Sequence, residues 1–234
     1  MDTATTCQLP DGRSVTLDGS VVEQVSCGVI VLGSVTAVEQ PEIWRLTKEL
    51  STQLRAEHHG RKPSQIPGLA EARTLYKSFG VDPSRTRPSS EALLRRVMSD
   101  KELYRINGLV DACNLASLSF LLPIGMYDLS RIQGGVTLKV GAPGDVYPGI
   151  RKADVNVASR LALFDDEGPF GSPTSDSART CMTENTNEVM AVIMATASYP
   201  DEKMADHLTA FSELYCNHCG GVEWHRSALN GRTP

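Results

Sequence analysis

The chain has 234 residues, of which 41% are hydrophobic and 22% charged, and a formal net charge of −5. That is the composition of a soluble globular protein with room for a sizeable core, and the negative balance argues against a dedicated nucleic-acid binder. The longest apolar run, about twelve residues from Cys27 to Val38, is well short of the roughly twenty that a membrane helix needs. No basic flank precedes an apolar segment at the N-terminus, so no secretory signal is visible and a cytoplasmic location is expected.

Taken in chain order, residues 1–20 are polar and turn-prone around Pro10-Asp11-Gly12, an irregular start or a short hairpin. Val21 to Val38 is apolar and β-branched, which predicts one or two buried strands. Pro41 opens a helix with an apolar stripe of Ile43, Leu46, Leu50 and Leu54, closed by Gly60. After the loop Arg61 to Gly68, a second helix covers Ala70 to Phe79 and stops at Gly80. A third follows Val81 to Pro88, with Ser89 or Ser90 as its cap and Glu91 in its first turn. A fourth runs from Leu109 to Leu121 and ends before Pro123. Strands are expected at Val136–Val140 and Leu161–Phe164, a strand or, given its Met and Ala, a helix at Glu188–Ala197, a helix at Asp201–Tyr215, and a returning strand at Val222–Trp224. This mixture is neither strict βαβ alternation nor all-helical, so the expectation is α+β, a single compact domain with a mixed sheet flanked by helices. The domain proper is placed at 21–226, with 227–234 as a C-terminal tail.

Three constellations carry possible chemistry. Asp111, Asn114 and Ser117 are spaced by three on an otherwise apolar helix, so they share one face. Either neighbouring segments satisfy them or they face a wet pocket, because buried polar groups without partners cost about 1–3 kcal/mol each. Next, Arg85 and Arg87 lie just before a helix start at Ser89-Ser90-Glu91, a natural site for phosphate or carboxylate unless the arginines pair with Glu91 or Asp111. Last, the loop from Gly168 to Thr180, followed by Thr183 and Thr186, is rich in glycine, proline and hydroxyls and lies between apolar strands. From Arg61 to Arg105 there are ten Lys/Arg against five Asp/Glu, a net of +5, which leaves −10 for the rest of the chain. Such a patch can orient an anionic partner.

Other patterns point to plain structure. Cys216 and Cys219 have zinc-ligand spacing with His218 between them and His225 downstream, but no second ligand pair accompanies them. A helix end running into Gly220-Gly221 is the preferred reading. There is no P-loop, no GxGxxG and no GxSxG, and no histidine falls in the pocket-like region. No metal and no cofactor is expected. A hydrolase built from this sequence would work by positioning water and stabilising charge.

The stretches FGVDPSRTRPSSEALLRR (Phe79–Arg96) and INGLVDACNLASLSFLLPIGMYDLSRIQGG (Ile106–Gly135) resemble the B3/4 editing domain of the phenylalanyl-tRNA synthetase β chain, and in particular its free-standing relatives. Val110-Asp111 and Asn114 match the family's Val-Asp-x-x-Asn, Pro123 and Asp128 match its turn, and Gly134-Gly135 match the glycines opening the next strand. Gly168 to Gly171 corresponds to the glycine-rich loop walling the amino-acid pocket. The chain departs from the pattern at Gly125, where the synthetase has a pocket histidine, and at Val192, near its pocket glutamate. The resemblance implies an aminoacyl-tRNA deacylase acting in trans on the acylated acceptor end of tRNA, with the amino acid left open and Gly125 leaving space for a different or larger acyl group. Asn114, Ser90 and Thr183 are then the expected catalytic, water-positioning groups. Arg85, Arg87, Glu91, Asp111, Ser117, Gly125, Asp128, Gly168 and Thr180 are the expected substrate-binding groups. The alternatives are a tRNA- or amino-acid-binding module that has lost the chemistry, and a hydrolase of a small acyl or peptidyl substrate.

Overall fold

A computed structural model describes residues 5–62, 65–150 and 153–232. Its centre is a four-stranded antiparallel sheet of β3 (Val25–Gly33), β10 (Val189–Thr196), β4 (Ile124–Asp128) and β11 (Val222–Asn230), in the order β11-β3-β10-β4. A second, mixed sheet has the order β1-β2-β5-β8-β9, from β1 (Thr6–Gln8), β2 (Ser14–Leu17), β5 (Val136–Val140), β8 (Leu161–Asp165) and β9 (Gly168–Gly171). The short pair β6 (Val146–Tyr147) and β7 (Val155–Asn156) forms a ladder of its own and packs Tyr147 against Ala162 and Phe164 of β8.

Side-chain alternation shows how the layers stack. Cys27, Val29 and Val31 of β3 and Met190, Val192 and Met194 of β10 join Val15, Leu17, Leu138, Leu163 and Phe170 in a core between the two sheets. The intervening Ile30, Leu32, Ala191, Ile193 and Ala195 face the other way, into a core with the helices. Strands covered on both faces read as unbroken apolar runs, which is why β3 and β10 show no alternation in sequence. The helical layer is α1 (Pro41–Glu57), α2 (Leu69–Ser78), α3 (Ser89–Met98), α4 (Gly108–Phe120) and α5 (Asp201–His218). Trp44, Leu54, Leu69, Leu94, Val97, Leu118 and Leu121 form a third apolar cluster among α1 to α4. The α+β class holds, with two sheets and one helical layer in place of a single flanked sheet.

The opening segment is a hairpin, with Cys7 opposite Val15, and β2 joins the second sheet beside β5. Residues 21–38 hold one strand, β3 (Val25–Gly33), not two. β11 runs nine residues, to Asn230, so the segment expected as a tail from 227 begins as a paired strand. Cys219 caps the end of α5 and Gly220 takes φ +70°, the helix-terminating role expected of that segment. Among the described residues no group of three potential ligands gathers around a metal position, and no helix is long and apolar enough to cross a membrane.

Candidate functional site

Two of the three residues of the α4 polar stripe close the ends of that helix. Asn107 caps α4, its side chain accepting from the Val110 N–H at 2.9 Å, and Asp111 reaches back to the Ile106 N–H at 3.0 Å. Together they satisfy two donors at the helix start, in the manner of a capping box. Burial pushes the Asp111 carboxyl above its ordinary value, the Ile106 N–H opposing that. Ser117 donates to the Leu122 carbonyl at 2.8 Å at the other end. Asn114 lies between them, half-buried, and keeps its amide free of hydrogen bonds among the described residues.

α3 carries no side-chain cap: Pro88 occupies the N-cap position. Ser90, wholly buried, donates instead to the carbonyl of Leu121, whose φ of +56° ends α4. Glu91, also wholly buried, accepts from Arg73 at 2.7 Å and Arg95 at 2.9 Å. Ser90 and Glu91 are therefore engaged inside the protein and do not face a ligand. Arg85 and Arg87 are exposed, and Arg85 approaches Asp82 only to 3.8 Å.

The hydroxyl-rich loop organises itself around Asp128, buried at the end of β4. Its carboxylate accepts from Ser130 Oγ at 2.6 Å and from Thr186 Oγ1 at 2.7 Å, while its N–H donates to the Thr180 carbonyl. Thr183 N–H donates to Thr186 Oγ1 at 2.9 Å, and Thr180 Oγ1 pairs with Ser177 Oγ at 3.3 Å. A two-bond ion pair from Arg179 to Asp165, both at 2.8 Å, fixes the far side of the same loop. Gly168 takes φ +117° at the turn into β9, which its lack of a side chain permits. The structure thus brings Asp128, Thr180 and Thr183 together, and separates them in role from Ser90, Glu91, Asp111 and Ser117.

Gly125 does not open a larger pocket. A Cβ at this position would stand 2.1 Å from the Tyr127 hydroxyl, and one at Gly171 would stand 2.3 Å from it. Tyr127, two residues along the same strand and wholly buried, passes its hydroxyl between the two glycines and sets its ring edge-on to Phe170, centroids 5.0 Å apart. Burial, with Asp176 nearby, holds its pKa well above the usual phenol value. Gly125 and Val192 face each other in register across β4 and β10. The two departures from the family pattern therefore fall at one place, which is now apolar core around a tyrosine.

The site that can take a ligand is a narrow cleft between the C-terminal end of α2 and the second sheet. Leu75, Tyr76 and Phe79 form one wall, Val155, Val157 and Leu161 the other, and Ser172, Pro173 and Thr174 the end. Counted as room for the centres of water molecules, its volume is about 50 Å³, enough for a few waters or a slender aliphatic group. Its polar rim holds Thr86, from between Arg85 and Arg87, together with Asn156 and the exposed Arg160. Tyr76 and Thr174 share a 2.8 Å hydroxyl pair, and Tyr147 donates to Ser172 at 3.0 Å. Burial raises both phenols well above their ordinary pKa, so at neutral pH they are uncharged and serve as donors. Among the described residues, none lining the cleft is an acid or a histidine. Of the expected site residues, none of Asn114, Ser90 or Thr183 lines it. The wall residues escaped sequence reading because they come from α2, β7 and β8, and only the 172–174 turn and Thr86 of the rim lay in segments already marked as functional.

A helix-backed two-sheet arrangement with an apolar slot and a hydroxyl- and arginine-bearing rim defines an α+β domain with a candidate binding cleft. Residues 71–210, more than half the chain, match the B3/4 domain family, and the chain belongs to that family. Among solved structures it is similar to an N-terminal fragment of the phenylalanyl-tRNA synthetase β-subunit from Pyrococcus horikoshii, at 16% identity and a TM-score of 0.42. That similarity covers 51% of this chain, which spans 43% of the fragment's length. No curated protein matches the chain.

Proposed function

We propose that this protein is an aminoacyl-tRNA deacylase that acts in trans on the acylated 3′ end of tRNA. The observation that carries this reading is the cleft: an apolar slot of side-chain width opens onto hydroxyl donors and lies beside the Arg85–Arg87 loop. The side chain of the esterified amino acid enters between Leu75, Phe79 and Leu161, and Arg85, Arg87 and Arg160 receive the terminal phosphates. B3/4 family membership, with the resemblance to synthetase editing domains, supports the same substrate class.

Without an acid or histidine in the slot, catalysis rests on position and on donated hydrogen bonds. Ser172 and Thr174, held by Tyr147 and Tyr76, orient a water toward the ester carbonyl carbon. Water adds there, the bond from acyl carbon to ribose oxygen breaks, and the neighbouring ribose hydroxyl relays the proton to the leaving oxygen. The products are a free amino acid and a tRNA with its terminal hydroxyl restored. Asn114 has an amide free to hydrogen-bond, and in this reading it acts from outside the slot; alanine at Asn114 with unchanged turnover removes it from the mechanism.

The absence of a general base in the lining favours one other reading, a module that binds the acylated end without turning it over. Purified protein with a panel of cognate and miscognate aminoacyl-tRNAs at low salt separates the two. Selective hydrolysis of one acyl class establishes the deacylase, whereas binding with no turnover of any ester establishes the module.

A further inference from the structure

A second concavity, away from the cleft lining, gathers four Lys/Arg side chains and a histidine. It is framed by the C-terminal turn of α1 and by α3: Arg55, His59, Arg61 and Lys62 on one side, Arg95 on the other. It is broad and open, about 490 Å³, and this on a protein whose net charge is −5. Past the end of α1, Gly60 takes φ +74°, and Arg61 and Lys62 follow it into the lining of the basin, both exposed. Among the described residues neither forms an ion pair. The carboxylates that touch the basin's cations are Asp100, 3.5 Å from Arg55, and Glu91, which lies wholly buried beneath Arg95.

Next to Arg95 in sequence, though about 100° round α3 from it, Arg96 lays its guanidinium 3.8 Å above the ring of Tyr104 and hydrogen-bonds its hydroxyl at 3.0 Å. Tyr104 is 67% exposed, so the other face of the ring is open to solvent. A basic groove tracks a phosphodiester backbone, and an exposed aromatic with a stacked arginine receives an unpaired base. Glu91 ties this surface to the cleft side of the molecule, because the arginine it holds together with Arg95 is Arg73 of α2, the helix that also supplies Leu75 and Tyr76.

We infer that the basin between α1 and α3 is a second RNA-binding site, which grips the sugar–phosphate backbone while the Tyr104–Arg96 pair stacks on an unpaired base. The inference rests on the proposed reading of the substrate as an acylated RNA, and it adds a grip that is independent of the acyl group. Phosphate density and stacking together identify single-stranded or loop RNA over a lipid surface, which offers no base to stack.

The test uses the full chain with fluorescently labelled, deacylated tRNA, so that binding is read without any turnover. Arg61→Glu with Lys62→Glu is expected to weaken binding about tenfold or more and to lower the slope of log affinity against log salt by about one to two. Tyr104→Ala is expected to weaken binding several-fold with the salt slope kept. Lys203→Glu, an exposed change of the same charge on α5, is expected to change little. Equal loss from Lys203→Glu and from a single basin charge overturns the site in favour of a diffuse charge effect. Unchanged binding in the basin variants overturns it too, even where wild-type protein hydrolyses aminoacyl-tRNA. Binding to phosphatidylserine–phosphatidylcholine vesicles with none to tRNA overturns it in favour of a membrane surface. Basin-dependent tRNA binding with no hydrolysis of any ester sustains the inference while the deacylase reading fails.

Discussion

Tyr127 shows how one side chain can rewrite a site. Its hydroxyl occupies the space that a Cβ at Gly125 or at Gly171 would need. Gly125→Ala is therefore expected to destabilise the fold by about 1–3 kcal/mol through overpacking, measured by urea unfolding. Tyr127→Phe removes the hydroxyl that the new methyl meets, so the double variant should recover part of that loss; strictly additive effects would show that the two do not compete for the same space. Asp111 makes a second case, in pH. Its folded-state pKa is raised by burial, so the native state binds the extra proton and the ionised form is penalised as pH rises through the carboxylate range. Asp111→Asn keeps an acceptor for the Ile106 N–H. Its stability relative to the wild type should thus rise with pH from about 3.8 upward and level off once the folded-state carboxyl is fully ionised. A relative stability that falls over that range contradicts the burial argument.

At the scale of elements, α2, α3 and α4 are clasped by two buried groups that sequence reading places at a binding site. Glu91 holds Arg73 of α2 and Arg95 of its own helix, and Ser90 donates to the carbonyl of Leu121 that caps α4. Removing a buried carboxylate from between two guanidiniums typically costs about 3–5 kcal/mol. Both arginines reach solvent at their outer edges, so Glu91→Ala is expected at the lower end of that range, with loosening concentrated in α2 and α3 by hydrogen exchange. The contact of α5 with α4 carries its own pH dependence. His207 stacks on Phe120 at 4.2 Å and pairs with the Tyr199 hydroxyl at 2.8 Å. Burial lowers its pKa below the ordinary 6.5, so the unfolded chain takes up the proton first and stability drains as pH falls below about 6.5. His207→Gln should flatten the stability curve between pH 7.5 and 5.5; an unchanged slope would assign that loss to other groups.

For the whole molecule, the decisive relation is that between the two sheets and α2, because the slot exists only where they meet. Val155→Trp puts an indole into the half-open wall without touching the central core. It is expected to lower kcat/KM for deacylation more than tenfold, about 1.4 kcal/mol of transition-state stabilisation, while urea unfolding stays near wild type. Undiminished turnover in a folded Val155→Trp protein would move the acyl site out of this cleft.

Much of the architecture is written locally. Helix boundaries near α1, α2, α4 and α5 follow from Pro41, Gly80, Asn107 and Gly220, because a cap or a left-handed turn depends on a few adjacent residues. The continuous apolar runs of β3 and β10 already imply strands covered on both faces. The motifs that carry the B3/4 resemblance were legible in the same way. Tertiary structure alone decided which polar groups are free. Asp111, Ser117, Ser90 and Glu91 look like ligand-binding groups in sequence, yet each finds a backbone or guanidinium partner in the fold. Gly125 reads as an opening until Tyr127 is seen to fill it. A side chain's partners lie far away in sequence, and a buried polar group must find one, so composition and spacing name the candidates while packing selects among them.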